Sequence, residues 1–340
     1  MTKEESMSDP NNHALQLDKV SKTYKGKIRA LKGIALTVDR GEVFGLLGPN
    51  GAGKSTLVKI LMTVIKPSEA NGTMLGIKVG DKKSLRNVGY LPEHHRFPPY
   101  LTGGQVLNYY GALSNIPRRE RKQQAARLLD LVGMSKWAKT SVAKYSKGMA
   151  QRLGIAQSLI NNPDIVFLDE PTDGVDPVGR RDIREILKKL RDEGKTVFLN
   201  SHLLGEVEMV CDRVSILLQG NVVREGTIDN LTKDSRRYEI EFQGNPPEQL
   251  LNNLENAQLK TQSQNNSQIS HNQPQSNSHR LLLPDFKPAQ VQSVIDRLRA
   301  ANNIILRIEQ KQDSLEDLFI KAVEENGKSV GGDTAKRGDK

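Results

Sequence analysis

The sequence predicts an α/β fold in two parts, a large layered unit over residues 14–232 and a small α+β unit over residues 236–326. Three observations predict it. Through the first two thirds of the chain, short apolar runs alternate with helical patterns, as in a sheet layered with helices. A glycine-rich loop, Gly48–Ser55, stands between one such run and a helix. Beyond Arg236 the order becomes strand, helix, strand, helix, strand, helix, which suggests a ferredoxin-like accessory domain.

Size and charge set the outer limits. A chain of 340 residues is long enough for two ordinary domains. No stretch approaches the roughly 18–20 apolar residues of a membrane span. The opening MTKEESMSDPNN has no apolar core of a signal peptide, so a cytoplasmic location is expected. Cys211 is the only cysteine, which excludes an intramolecular disulfide and a cysteine-cluster metal site. The net charge of +10 favours polyanions. Aromatic residues are only 4% and the basic residues are scattered. A nucleic-acid reader shows a dense basic stripe, so no nucleic-acid partner is expected.

Residues 1–13 are polar and read as a disordered N-terminus. EVFGLLG is a strand ending in glycine, and KSTLVKILMTVI is a helix with apolar positions at Leu57, Ile60, Leu61, Val64 and Ile65. Residues from about 94 to 160 form a mostly helical subdomain. DIVFLDEP and KTVFLNS have the form of strands buried on both faces of a parallel sheet. In the second part, YEIEFQG, HRLLLP and NIILRIEQ read as strands. EQLLNNLEN, PAQVQSVIDRLRAAN and SLEDLFIKAVEE read as helices. Of the 18 residues from Gln262 to His279, 14 are Gln, Asn or Ser, too polar to bury, so a disordered loop is expected. Residues 327–340 read as a flexible basic tail.

The chemistry concentrates in three places. Gly48-Pro49-Asn50-Gly51-Ala52-Gly53-Lys54-Ser55 matches the phosphate-loop pattern G-x-x-x-x-G-K-[ST]. Its glycines let the backbone curl so that successive N–H groups face an anion. The helix that follows aims its positive end at the same point. Lys54 places a cation on the β- and γ-phosphates, and Ser55 offers a hydroxyl to Mg²⁺. Downstream, IVFLDE ends a buried strand in Asp169 and Glu170, at the sheet edge where α/β folds bind ligands. Asp169 suits Mg²⁺, and Glu170 suits a general base for water. Between them, Tyr145–Arg152 (YSKGMAQR) runs a Ser-x-Gly turn into a helix, a second anion-binding N-terminus or an ordinary helix cap.

Together these residues resemble the ATP-binding subunit of an ABC transporter, in the single-domain form that pairs with a separate permease. Within that group the chain is most similar to the ATPases of ABC-2-type exporters. The resemblance covers about residues 15–230. Gly48–Thr56 is similar to Walker A, Ile165–Glu170 to Walker B, YSKGMAQR to the LSGGQ signature, and Asp173–Asp176 to the D-loop. His202, after KTVFLNS, resembles the switch histidine, and Tyr24 stands where an aromatic residue stacks on adenine.

The resemblance implies a P-loop NTPase fold of the ABC type, with a mixed sheet core, an antiparallel β subdomain and a helical subdomain. It implies ATP and Mg²⁺ as ligands. Glu170, Lys54 and His202 would be catalytic; Ser55, Asp169 and Glu93 would hold the metal. Tyr24, the loop from Gly48 through Thr56, Glu93, and, across a dimer, Ser146, Gly148 and Asp176 would bind nucleotide. A homodimer and an integral membrane permease are the implied partners, placing the protein at the inner face of the cell membrane. The alternative is a soluble ABC ATPase acting on nucleic acid or the ribosome. A single phosphate loop, and a 115-residue gap from Lys54 to Asp169 with no long heptad run, count against it. The chain departs from the common pattern at Glu93, where Gln is usual, at Lys147 and Met149 in the signature, and at Asp173 in the D-loop.

Overall fold

A computed structural model describes residues 12–233, 237–246, 257–262, 278–284 and 286–331. Residues 1–11 of the expected disordered N-terminus, the helix over 248–256, most of the polar loop and the end of the tail lie outside the described residues, while His13, expected in that N-terminus, opens a strand. Contacts divide the chain into two units: Met1–Ile228 with Ala322–Lys340, and Asp229–Lys321.

The first unit opens with β1 (His13–Thr23) and β2 (Arg29–Asp39), an antiparallel pair. Alternate residues Leu15, Leu17, Ile34, Leu36 and Val38 are buried in the core, the period-two pattern of a half-buried sheet. After β3 (Val43–Leu47) and α1 (Lys54–Leu61), β4 (Glu69–Met74) and β5 (Ile77–Lys78) extend this sheet in the order β2-β1-β4-β5.

The second sheet carries the chemistry. Its strands are β3, β6 (Val88–Leu91), β7 (Ile165–Asp169), β8 (Thr196–Ser201), β9 (Arg213–Leu218) and β10 (Asn221–Thr227). The order is β10-β9-β3-β8-β7-β6. All neighbours are parallel except β9 and β10, so the sheet is mixed. Every residue of β3, β7 and β8 is buried, because both faces are covered. Strands β3, β8, β7 and β6 are consecutive and parallel, so their carboxyl ends, and the loops that follow, open on one edge.

Between β6 and β7 lie α2 (Gly103–Leu113), α3 (Arg118–Leu131) and α4 (Lys147–Ser158). Thr102 and Gln105 close α2 with a reciprocal capping box. Strand β6 presses on the end of α4: a Cβ at Gly89 would overlap the Ser158 carbonyl, so only glycine fits. Helix α5 (Pro177–Asp192) buries Ile183, Ile186, Leu187 and Leu190, one stripe at helical spacing. The unit also contains the short α6 (Leu204–Glu208).

Helix α7 (Ile228–Lys233) leads to the second unit. It holds β11 (Arg237–Gln243), β12 (Gln258–Gln262), β13 (Ser278–Pro284), α8 (Pro288–Ala300) and β14 (Ile304–Lys311), and α9 (Leu315–Gly331) begins in it. The sheet order is β12-β13-β11-β14, all antiparallel, the order of a ferredoxin-like sheet. Ile240, Phe242, Leu281 and Leu283 pack against Val291, Val294, Ile295 and Leu298 of α8. Strand β12 was not legible: QLKTQ is a short polar edge strand without apolar alternation, ordered by its ladder to β13. The strands reach Gln262 and Ser278, the ends of the expected loop, and α9 continues to Gly331, past the expected start of the tail at 327. Among the described residues, no helix is long and apolar enough to cross a membrane.

Candidate nucleotide site

The phosphate loop follows β3 directly. Gly53 caps α1 with φ of 112°, left-handed backbone that favours glycine. A Cβ there would also lie 2.7 Å from the Ala30 carbonyl. Lys54 is only 6% exposed, and its Nζ donates to the Gly48 carbonyl at 2.6 Å and the Pro49 carbonyl at 3.4 Å. Burial lowers its pKa, while Glu170, Asp169 and Glu93 pull it back up. A buried ammonium satisfied by carbonyls, with no carboxylate among the described residues in direct contact, is ready for an incoming anion.

Pro49, Asn50, Gly51, Gly53, Lys54, Ser55 and Thr56 line a cleft of about 390 Å³ together with Glu93, Glu170, Asp173 and His202. Gly48 and Ala52 belong to the loop but do not line the cleft. Glu93 arrives two residues after β6, Glu170 one after β7 and His202 one after β8. Four adjacent strands therefore supply one site, as expected at the carboxyl edge of a parallel sheet.

Glu170 is 6% exposed and has φ of 52°. A non-glycine residue in that region carries about 1–3 kcal/mol of strain. The strain is held by neighbours: Glu170 N–H donates to the Asn200 carbonyl at 2.9 Å. Its Oε2 lies 2.8 Å from His202 Nδ1. Asp169 is buried behind the cleft and accepts a hydrogen bond from Asn200 Nδ2. Burial raises the Asp169 pKa against that bond. Burial also pushes the Tyr90 phenol up to about 12, with the charges of Asp169 and Glu93 adding to it.

Two residues escaped the sequence reading. Asn200 stands opposite Asp169 in the β7–β8 ladder, a placement visible only once those strands are paired. Gln151, on α4, is buried and donates to the Glu170 carbonyl at 3.4 Å. Asn200 Oδ1 and Gln151 Oε1 are buried acceptors with no donor among the described residues. Three carboxylates, Glu93, Asp169 and Glu170, bear on the single ammonium of Lys54. That excess of negative charge and the orphaned Asn200 oxygen fit a hydrated divalent cation, whose waters donate. Among the described residues there is no cluster of three or more His, Cys, Asp or Glu that would bind a metal by itself.

The remaining predicted residues lie outside the cleft. Tyr24 is 38% exposed at the turn between β1 and β2, with Lys22 Nζ 5.0 Å from its ring centroid. Ser146 caps α4, its hydroxyl accepting from Met149 N–H at 3.2 Å, and Gly148 is in the first turn. Asp176 caps α5, accepting from Gly179 N–H at 2.8 Å. A single chain thus gathers the phosphate loop and the strand-end acids, and leaves Ser146 and Gly148 outside the cleft.

The family model for ABC transporters matches residues 31–173. An ABC transporter ATP-binding protein of Synechocystis is 40% identical over 303 residues, covering 88% of this chain and 80% of the relative. A daunorubicin resistance ATP-binding protein of Streptomyces coeruleorubidus is 38% identical over 224 residues, covering 65% of this chain and 71% of the relative. A solved dimeric ATP-binding cassette in a post-hydrolysis state, bound to ADP and phosphate, superposes with a TM-score of 0.57 at 30% identity. That match covers 63% of this chain and 98% of the cassette.

Proposed function

Because the chain belongs to the ABC transporter family, as an ATP-binding, ATP-hydrolysing subunit, we propose that the cleft between the phosphate loop and the ends of β6, β7 and β8 is its hydrolytic site. The observation that carries this is the convergence of buried Lys54 and the His202–Glu170 contact at 2.8 Å on one cleft. Glu170, held by its backbone bond and by His202, accepts a proton from the attacking water. Lys54 and His202 hold the γ-phosphoryl oxygens, where charge builds in the transition state. Ser55, Glu93 and Asp169 hold Mg²⁺, which supplies charge neutralisation on the β- and γ-phosphates. Tyr24 stacks on the adenine. Asn200 fixes the Asp169 carboxylate by its hydrogen bond.

ABC ATP-binding subunits work with a membrane permease. The finer reading is a homodimer in which Ser146, Gly148 and Asp176 complete the site of the other protomer, an isologous contact. It attaches at the inner face of the cell membrane through a separate permease. Resistance proteins among the relatives support export as the direction.

The test uses Glu170→Gln. This variant should retain ATP, lose at least about a hundredfold in turnover, and elute as an ATP-dependent dimer. Pulled from detergent-solubilised membranes with ATP and Mg²⁺, it should bring down a polytopic membrane protein. Unchanged turnover would overturn the assignment of Glu170, and recovery of ribosomal or nucleic-acid partners alone would overturn the transport reading.

A further inference from the structure

We propose that Lys147 is a positioning residue for ATP binding within its own protomer, neutralising Asp173 on the wall of the triphosphate cleft. The inference rests on the nucleotide reading above and concerns two departures from the common pattern.

Asp173 lines the same cleft as Lys54, Ser55, Glu93, Glu170 and His202. An ionised carboxylate there repels the γ-phosphate that the cleft is shaped to receive, and adds to the charge of Glu93 and Glu170. The chain answers it from a distance of 26 residues. Lys147 Nζ, from the first turn of α4, donates to Asp173 Oδ2 at 3.0 Å. Lys147 therefore turns to the D-loop of its own chain. Its path is cleared by Gly174, whose φ is +61°. A Cβ at that position would overlap the Lys147 ammonium and lie 3.0 Å from its Cε. The Lys147 hydrogen bond holds the Asp173 carboxyl below the usual range, against burial, which raises it, with the charges of Lys147, His202 and Arg180 assisting.

The pair is about half exposed, 55% at Lys147 and 48% at Asp173. Such pairs add little to fold stability, so its value lies in the field at the cleft. Arg180 is engaged with the Val175 carbonyl at 2.9 Å, and among the described residues Lys147 is the side chain in ion-pair contact with Asp173. Met149, the other signature departure, gives its backbone N–H to Ser146 Oγ.

The experiment is equilibrium binding of a fluorescent ATP analogue with Mg²⁺ to the full chain, at low and high salt. Lys147→Ala should weaken binding about three- to tenfold at low salt, and the loss should shrink at high salt because it is electrostatic. Asp173→Asn should bind as tightly as the parent or tighter. The double variant should return to within about twofold of Asp173→Asn, and Lys147→Arg should stay within about twofold of the parent. A double variant as weak as Lys147→Ala, or a Lys147→Ala protein that binds like the parent, overturns the proposal while leaving the nucleotide reading intact. Failure of the parent to bind the analogue overturns both.

Discussion

The two units treat buried charge in opposite ways. In the first, Lys54 is buried with carbonyls for company, and Asp169 and Glu170 are buried beside a cleft with an orphaned Asn200 oxygen. In the second, Asp313 is buried between Arg237 and Lys321, and Glu239 between Arg237 and Lys311. The titration directions follow. Burial raises Asp169 and prevails over its hydrogen bond. Burial also pushes Asp313 and Glu239 up, but hydrogen bonds and charges from their basic partners outweigh it and leave both lowered. Buried charge marks a ligand site where its partner is missing, and a structural clasp where its partner is present.

The largest expected effect separates the two cases. Lys54→Met removes the buried ammonium and keeps the apolar stem, so ATP binding should fall at least about a hundredfold. The stability of the first unit should stay within about 1 kcal/mol of the parent or rise. Nucleotide titration and denaturant unfolding followed at Trp137 read the two quantities. A protein that loses stability but keeps ATP would erase the contrast.

Asp313→Asn should do the reverse. Losing a clasped charge costs the second unit about 2–3 kcal/mol, read as faster amide exchange in β11 and β13, with ATP turnover unchanged. Acid sharpens the point. Because Asp313 and Glu239 are lowered, their stabilisation is present above their ordinary values of 3.8 and 4.5 and is lost as pH falls through the folded values. Asp169 is raised, so the first unit gains as pH falls through its folded value toward 3.8. Amide exchange across pH 5 to about 3 should therefore open β11 and β13 before β7 and β8. Earlier opening of β7 and β8 would contradict the contrast.

The smallest effect is at the rim. Tyr24 is exposed, with the Lys22 ammonium over its ring. Tyr24→Ala should weaken ATP about five- to thirtyfold, the value of one stacked base, and Tyr24→Phe should recover most of it. Equal loss in both would mean that the ring does not stack.

The contrast also explains what was legible. A contiguous motif is read directly: the phosphate loop, Glu170 after β7 and His202 after β8 were all visible and line one cleft, with Asp169 buried behind it. In the second unit the strands β11, β13 and β14 were legible and β12 was not. What depends on pairing was not. Asn200 meets Asp169 only through the β7–β8 register. Gln151 reaches the Glu170 carbonyl across 19 residues. Lys147 reaches Asp173 across 26 residues. The clasp at Asp313 joins strand β11 to α9, and no local pattern announces it.

The seat of β6 against the helical block depends on two glycines. Gly89 lies against the Ser158 carbonyl, and a Cβ at Gly154 would lie 2.6 Å from Leu91 and 2.9 Å from His95. At Gly89 backbone meets backbone, so β6 and the end of α4 touch with no side chain between them, whereas at Gly154 the missing Cβ leaves room for the Leu91 and His95 side chains. A single methyl group at residue 89 would wedge β6 away from α4, and Glu93 follows that strand by two residues.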